Sequence, residues 1–281
     1  MQYKLEISLG TNIFDGYSLF DALIYTSENG LKSVEIASID GVCEHIKPED
    51  MSDELLAEVK SKLKKLKLKI VAFSGHVDLT VEEGLRRFFK KMEFAKGLGA
   101  KIINTNAGPL SRLQQFKDNI KAVIEKAEEL NIKVGLESHG DIISSAHDSL
   151  GIIKEINHPL IRLNYDTGNV YYHSKKIIDP SEDIIDALDF IEYIHLKDIR
   201  VESRKIEYCA LGDGSIKLND IFNILKQYDR IIPMTIEIPI YLFCYGWGPL
   251  KKGKTPLEIE KIKEAIQKSV DYIKKFGIEI V

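Results

Sequence analysis

The sequence predicts a (β/α)8 TIM barrel, an α/β fold in which eight parallel strands alternate with eight helices. Eight short runs rich in β-branched residues recur along the 281 residues, and a segment of helical periodicity follows each run. The predicted strand ends follow one another at intervals of roughly 30 to 40 residues, as in a barrel. Neither a G-x-G-x-x-G fingerprint nor a G-x-x-x-x-G-K-[ST] loop occurs, which disfavours a doubly wound open sheet. We therefore expect residues 1–281 to form one barrel domain.

The predicted strands are the apolar runs, each of a length suited to a barrel strand. They lie at residues 3–9, 32–37, 68–74, 100–106, 132–138, 160–166, 190–196 and 233–239. The helices are predicted from apolar residues that recur every three or four positions. They lie at about residues 17–29, 50–65, 81–98, 112–130, 145–157, 181–189, 217–228 and 256–276. In the third helix Leu85, Phe88, Phe89, Met92 and Ala95 show this spacing.

Capping residues predict where several helices begin and end. In three pairs an oxygen acceptor precedes a glutamate by three residues, as at a helix N-terminus. The pairs are Thr80 and Glu83, Asp179 and Glu182, and Thr255 and Glu258. Gly97 and Gly99 follow the third helix and Gly277 follows the last, as expected where a helix ends in the left-handed conformation.

Composition and charge exclude several classes of protein. Hydrophobic residues make up 44% and charged residues 29%, and 39 Lys and Arg against 43 Asp and Glu give a net charge of −4. This balance is untypical of proteins that bind nucleic acid or an anionic membrane. No apolar run approaches the ~18 residues of a membrane span, and the N-terminus lacks the apolar core of a signal peptide. Cys43, Cys209 and Cys244 form no C-x-x-C pair, so we expect a cytoplasmic protein that binds neither nucleic acid nor membrane.

Polar residues stand at the ends of the last four predicted strands. Strand five ends in Glu137, strand six in Asp166, strand seven in His195 and strand eight in Glu237. The carboxyl ends of barrel strands meet at one mouth, so we expect these side chains to lie together. Each interrupts an apolar run, where an ionised carboxylate is costly unless it is paired or binds a cation. Two Glu, one Asp and one His form a hard ligand set that suits Mn²⁺, Mg²⁺ or Co²⁺.

For each of these residues taken alone, a structural role is the alternative. A single glutamate at a strand end is often paired within the barrel, and a single histidine such as His195 is often a hydrogen-bonded core residue. Their occurrence at equivalent positions on successive strands favours a metal site. Glu35, inside strand two, is interpreted as a partner in a barrel-interior salt bridge without a catalytic role.

Six further residues near the strand ends are candidates for binding substrate. They are His76, His139, Asn169, Lys197, Arg200 and Trp247. For His76 the alternative is a plain loop histidine, and for Lys197 and Arg200 it is an ion pair at the rim. Trp247 belongs to an aromatic loop, residues 239–255, that suits sugar stacking, a lid, a subunit interface or a small local core.

Five motifs in the second half of the chain together resemble one family. They are VGLESH (134–139), NYDTGN (164–169), HLKD (195–198), LGDG (211–214) and TIEI (235–238). With them the chain resembles the xylose-isomerase-like TIM-barrel superfamily, in particular its sugar phosphate isomerase/epimerase branch. The resemblance implies that Glu137, Asp166, His195 and Glu237 bind one divalent metal ion, and that the two glutamates act as the acid/base pair. Manganese is the expected ion, with magnesium, cobalt and zinc as alternatives.

Two positions depart from the pattern of this family. Many members carry histidine at the position of Asn169, and some epimerases carry a second glutamate at the position of Ile143. Endonuclease IV, a DNA-repair member with a three-zinc cluster, needs histidines where this chain has Asn104 and Asn169. A nuclease function is therefore disfavoured, in agreement with the acidic composition.

The predicted function is that of a metal-dependent isomerase or epimerase of a keto sugar or sugar phosphate. Removal of the proton next to the carbonyl gives an enediolate, and two carboxylates on opposite sides of its plane can remove a proton from one face and return one to the other. Two alternatives stay open: a dehydratase or lyase of a keto-sugar or inosose-type substrate, and a barrel that binds sugar without catalysis. A small-molecule substrate is the expected partner, and association into a homo-oligomer is left open.

Overall fold

The computed structural model describes residues 3–280, and eight parallel strands form its centre. They are β1 (Ile7–Gly10), β2 (Ser33–Ile39), β3 (Lys69–Ser74), β4 (Ile102–Thr105), β5 (Lys133–Glu137), β6 (Ile161–Asp166), β7 (Ile191–Leu196) and β8 (Met234–Ile236). Each strand pairs with the next in chain order, and β8 also pairs with β1, so the sheet is closed. The predicted (β/α)8 TIM barrel is confirmed.

Helices follow the strands on the outside of the barrel. They are α1 (Leu19–Glu28), α2 (Asp53–Leu66), α3 (Glu82–Leu98), α4 (Leu113–Leu130), α5 (Ala146–Ile156), α6 (Thr167–His173), α7 (Pro180–Asp183), α8 (Leu218–Gln227) and α9 (Ile259–Lys274). The helix predicted at 181–189 is the short α7 followed by a 3-10 helix, Ile184–Phe190. No helix within residues 3–280 combines the length and apolar character needed to cross a bilayer.

Helix α3 shows how the predicted periodicity becomes packing. Phe88, Met92 and Ala95 are fully buried, at the three- and four-residue spacing that places side chains on one face. Gly99 ends the helix in the left-handed conformation, with φ of 93°, as predicted, whereas Gly97 lies inside the helix rather than after it. Lys91 is fully buried on this helix as well, which the amphipathic pattern did not predict.

The predicted N-terminal caps are confirmed for one helix and wrong for two. Asp179 accepts a hydrogen bond from a backbone N–H in the first turn of α7. Thr80 instead donates its hydroxyl to Asp78, and α3 begins after Val81 without a side-chain cap. The third pair fails because α9 begins only at Ile259, also without a side-chain cap. For Thr80, the hydrogen bond to Asp78 takes the place of the predicted cap.

A four-stranded antiparallel sheet, which the sequence analysis missed, stands at the carboxyl end of the barrel. Its strands are Asp198–Glu202, Lys205–Cys209, Leu242–Tyr245 and Lys251–Lys252. The first two form a hairpin that begins just after β7, and the other two follow β8. Helix α6, also not predicted, begins immediately after β6. These additions enclose the mouth on the side of the last three barrel strands.

The predicted first strand, residues 3–9, is divided between two sheets. Tyr3–Leu5 pairs in parallel with Ile278–Ile280, and Ile7–Gly10 belongs to the barrel. The two ends of the described chain are thereby joined at the bottom of the molecule, away from the carboxyl ends of the strands.

The barrel interior carries polar side chains at two levels. Ser8, Tyr193 and Thr235 share hydroxyl hydrogen bonds of 2.9, 2.6 and 2.6 Å. His195 follows Tyr193 by two positions on β7, so it points into the barrel one level closer to the mouth. At that upper level it meets Glu35 of β2. The upper of these two polar levels thus includes His195, one of the four predicted ligands.

Candidate metal centre

The four predicted ligands come together at the carboxyl ends of β5 to β8. One donor atom from each of Glu137, Asp166, His195 and Glu237 lies within 4.8 Å of the others, and all four residues are buried. His195 Nδ1 stands among the carboxylates, 2.8 Å from Glu237 Oε2, 3.1 Å from Glu137 Oε1 and 3.6 Å from Asp166 Oδ2. Register explains the convergence, because Asp166 pairs with His195, and His195 pairs with Thr235, near the end of β8.

The ammonium group of Lys197 lies against the same carboxylates. Its Nζ atom is 2.6 Å from Asp166 Oδ2 and 2.9 Å from Glu237 Oε2. Burial alone would lower the pKa of Lys197, but the surrounding carboxylates outweigh it and raise that pKa well above its ordinary value. The lysine therefore stays charged and compensates part of the negative charge of the cluster.

The carboxylates respond differently to the shared environment. Burial alone would raise the pKa of Glu137 and Glu237, yet nearby cations lower the first well below its ordinary value and the second to about 2. For Glu137 the largest cationic influence is His76, and for Glu237 it is His195. Burial dominates for Asp166 and raises its pKa to about 6. Both glutamates are thus ionised at neutral pH, as a proton acceptor must be.

The residues present fit a single divalent cation. Asp166 Oδ2 and Glu237 Oε2 are buried oxygens that share one ammonium group, that of Lys197, and accept no hydrogen bond of good geometry from the described residues. One ammonium balances only part of the charge of three buried carboxylates, and a divalent cation would balance the rest. Three carboxylates and one imidazole are a donor set typical of hard or borderline divalent ions.

Hydrogen bonds from neighbouring side chains fix the two glutamates. His76 Nε2 contacts Glu137 Oε2, and its Nδ1 lies 2.9 Å from Ser74 Oγ. Asn12 donates from Nδ2 to Glu237 Oε1 at 2.8 Å. Sequence reasoning missed Asn12, although it stands just after a predicted strand, which is the position that marked the four candidate ligands.

Asn169 and His139 form a second polar pair beside Glu137. Asn169 Nδ2 donates to Glu137 Oε1 at 3.1 Å and lies 3.1 Å from His139 Nδ1. Tyr208, from the antiparallel sheet, donates its hydroxyl to Asn169 Oδ1 at 3.3 Å. Burial lowers the pKa of His139 to about 4, so its ring is neutral at pH 7 and can exchange hydrogen bonds with hydroxyl groups. No local signal in the sequence marks Tyr208, because the missed hairpin carries it there.

A cavity of about 750 Å³ opens beside the centre, and four of the six predicted substrate-binding residues line it. They are His76, His139, Asn169 and Lys197. Arg200 lies elsewhere, in the antiparallel sheet, where it pairs with Asp213 at 3.4 Å. Trp247 packs on Tyr171, with ring centroids 6.0 Å apart, in a small local aromatic cluster. Neither Arg200 nor Trp247 is on the cavity wall, so the prediction that they bind substrate has no support here.

The sequence profile of the xylose isomerase-like TIM barrel family matches residues 23–276. The chain belongs to this family. Among curated proteins, inosose dehydratase from Mesomycoplasma hyopneumoniae (strain 7448) is 30% identical over 239 residues, which cover 75% of this chain and 77% of the relative. The family assignment and this enzyme relative agree with the resemblance of the motifs.

Two solved structures show the same fold across almost the whole chain. A xylose isomerase-like TIM barrel protein from Mycobacterium smegmatis, in complex with magnesium, has a TM-score of 0.74 at 15% identity and covers 97% of this chain and 96% of its own. D-allulose 3-epimerase from Methylomonas sp., in complex with D-allulose, has a TM-score of 0.69 at 18% identity and covers 97% of each chain. At these identities the likeness establishes the fold and nothing finer.

Proposed function

We propose that this protein is a divalent-metal-dependent enzyme that isomerises or epimerises a keto sugar through an enediolate. The observation that carries the proposal is the buried group of Glu137, Asp166, His195 and Glu237 beside a cavity large enough for a sugar. Manganese remains the expected ion on the donor set, and the magnesium bound by the Mycobacterium smegmatis neighbour supports a hard divalent ion.

The chain's own residues supply the proton transfer. A divalent ion held by the four ligands would polarise the substrate carbonyl and stabilise the negative charge that develops next to it. Glu137 and Glu237 arrive from β5 and from the end of β8, and both are ionised, so either can take the proton from its own face of the substrate. The other glutamate, after it has gained a proton from solvent, delivers that proton to the opposite face. His76 and Asn12 hold these two carboxylates in place. Asn169, with His139, is placed to bind hydroxyl groups of the substrate.

We further infer that the substrate carries no phosphate group. The cations that line the cavity are Arg87, Lys197 and Lys252, and each is paired with a buried or half-buried carboxylate. Arg87 Nε lies 2.7 Å from Asp40 Oδ2, and Lys252 Nζ lies 2.8 Å from Asp15 Oδ2. Phosphate recognition normally uses Arg or Lys groups that are free to face the anion. Because the cations among the described lining residues are already paired, they favour an uncharged keto sugar or inosose as the substrate.

The deciding experiment measures metal content by elemental mass spectrometry in the wild type and in His195→Ala. We expect about one Mn, Mg, Co or Zn per wild-type chain and loss of that metal in the variant, because His195 Nδ1 is central to the donor set. His147→Ala, at an exposed histidine, is the matched control and should keep its metal. A wild-type protein that takes up no metal on incubation with Mn²⁺ would contradict the proposal.

Dehydration is the second candidate, favoured by the 30% identity to an inosose dehydratase. The same enediolate can expel a hydroxyl group one carbon further along instead of taking its proton back. Incubation with keto sugars and inososes in D₂O separates the two reactions by product mass. Epimerisation gives a product with one deuterium and no loss of water, whereas dehydration gives a product lighter by one water.

A further inference from the structure

Glu35, on β2, places its carboxylate against the far side of the His195 ring. Its Oε2 and Oε1 atoms lie 3.0 and 3.1 Å from His195 Nε2, while Nδ1 of the same ring faces the carboxylates of the metal centre. Both side chains are buried, with 1% and 0% of their surface exposed. Since β1 and β8 separate the two strands in the barrel wall, this contact crosses the interior.

A second set of contacts holds Glu35 in this orientation. Asn104, on β4, donates from Nδ2 to Glu35 Oε1 at 2.8 Å. Gly135, on β5, leaves room for that amide, because a Cβ atom there would lie 2.2 Å from Asn104 Oδ1. Among the described residues, the ion-pair partner recorded for Glu35 is His195. Residues of β2, β4 and β5 thus hold the Glu35 carboxylate against Nε2 of His195.

We propose that Glu35 is a positioning residue that makes His195 a metal ligand. A carboxylate that accepts the hydrogen of Nε2 fixes the tautomer in which Nδ1 carries a free lone pair directed at the cation. The same hydrogen bond makes the imidazole a stronger donor and prevents rotation of its ring. The proposal rests on the proposed metal-dependent function and adds to it a residue outside the ligand set.

This role differs from the plain barrel-interior salt bridge that the sequence suggested. A salt bridge with a purely structural role would affect the free energy of unfolding and leave the metal affinity of the folded protein unchanged. A positioning role affects the metal affinity even where the fold is intact. The dissociation constant for the metal therefore separates the two interpretations.

The test compares Mn²⁺ binding by the wild type and Glu35→Gln after removal of metal with a chelator. Free Mn²⁺ is measured by electron paramagnetic resonance during titration. We expect Glu35→Gln to raise the dissociation constant by roughly 10- to 100-fold, the usual effect of removing the carboxylate behind a metal-binding histidine. Glutamine can also donate to Nε2, which favours the tautomer whose Nδ1 bears a hydrogen and cannot bind the ion.

Ser8→Ala is the matched control. Ser8 is a buried polar residue of the same barrel interior, and its hydrogen bonds go to Tyr193, Thr235 and a backbone carbonyl. Its removal should leave the Mn²⁺ dissociation constant within about twofold of the wild type, because it does not touch His195. If Glu35→Gln does not fold, Asn104→Ser is the second variant: it removes the amide that holds Glu35 Oε1 at 2.8 Å and lies 3.4 Å from His195 Nε2, and it should weaken binding several-fold.

A spectroscopic readout tests the tautomer directly. In ¹⁵N NMR spectra of the Mg²⁺-loaded protein, with His195→Gln for assignment, we expect a hydrogen on Nε2 of His195 and none on Nδ1. Unchanged Mn²⁺ affinity in folded Glu35→Gln, or the opposite tautomer in the wild type, would overturn the proposal. A wild type that binds no Mn²⁺ at all would instead refute the proposed metal-dependent function, and this inference with it.

Discussion

Substitution of Glu137 tests the proposed proton transfer most directly. Its carboxylate receives contacts from His76, His195 and Asn169 and is held ionised. Glu137→Gln keeps the shape and most hydrogen bonds but cannot take a proton. We expect a folded protein whose turnover falls by about 10²- to 10⁴-fold, the usual contribution of a general base. The measurement is kcat for the substrate found in the D₂O screen, with circular dichroism as the check of folding.

Glu83→Gln provides the comparison for this prediction. Glu83 also lines the cavity, but it is exposed and pairs with Arg86 in its own helix. Its substitution should leave kcat within about twofold, as expected for an exposed ion pair of little energetic weight. Near-normal turnover in Glu137→Gln would remove that glutamate from the proton transfer.

His45 lies outside the site and makes stability depend on pH. Burial lowers its pKa below the ordinary value of 6.5, and its Nε2 atom lies 2.9 Å from the carbonyl oxygen of Thr11. Between pH 6.5 and the lower native pKa, the unfolded chain binds a proton at His45 that the folded protein does not. The free energy of unfolding should therefore decrease as the pH falls through this window.

Urea denaturation at several pH values between 7 and 5 measures this contribution. In His45→Gln the decrease on acidification should be smaller than in the wild type, because one group with a lowered pKa is gone. His147→Gln, at an exposed histidine, should keep the slope of the wild type. Equal slopes in His45→Gln and the wild type would show that His45 does not contribute.

At the scale of single residues, the convergence of the four candidate ligands was predictable because one rule covers them all. Each follows an apolar run at the end of a parallel strand, and such ends converge in a barrel. The contact of Glu35 with His195 was not predicted by this rule, because Glu35 lies inside β2 and His195 is 160 positions away. A contact across the barrel interior depends on which side chains share a level, and local patterns do not specify that.

At the scale of elements, the strands and most helices were predictable from their own periodicity. The antiparallel sheet was not, because its pairing joins distant segments: Ile206 lies opposite Cys244 in the register of its strands. Arg200 lies in this sheet and Trp247 lies between its last two strands. The direction of their side chains, which do not line the cavity, therefore depends on pairing that the sequence does not show.

Helix α3 is joined to the ends of β2 and β3 by Lys91. Its Nζ atom donates to the carbonyl of Ser38 and to Asp40 Oδ1, both at 2.6 Å, and to the carbonyl of His76 at 3.2 Å. Lys91→Met fills a similar volume but removes all three hydrogen bonds and the buried positive charge. We expect it to lower the free energy of unfolding by about 3 kcal/mol, as when one partner of a buried ion pair is removed. Equilibrium urea denaturation gives the value.

The double variant Lys91→Met with Asp40→Asn separates the ion pair from the packing. Asp40 also pairs with Arg87 at 2.7 Å, so it keeps one cation when Lys91 is replaced. The two substitutions should be less than additive, because each removes the same Lys91–Asp40 contact. Strict additivity, or a loss below about 1 kcal/mol in Lys91→Met, would show that the buried lysine holds neither strand end.

At the scale of the whole molecule, closure of the barrel is what brings the residues of the candidate site together. The candidate donor atoms come from the ends of four strands, and Glu35, which contacts His195, comes from a fifth, β2. Pairing of β1 with both β2 and β8 sets the distance across the interior. The closed barrel was predictable from eight repeats, and a ligand set distributed over it followed from that closure. The centre therefore forms only in the folded chain.

Metal binding should for this reason stabilise the whole barrel. An ion that binds the folded and not the unfolded chain adds about 2.7 kcal/mol of stability at a free concentration of 100 times Kd. For a chain of this size that corresponds to a rise in Tm of roughly 5 to 10 °C. We expect this rise when Mn²⁺ is added to chelator-treated wild type, and none in His195→Ala, in which the central donor is missing. Equal responses of the two proteins would place Mn²⁺ at some other site, since only a centre built around His195 loses its stabilising effect with that side chain.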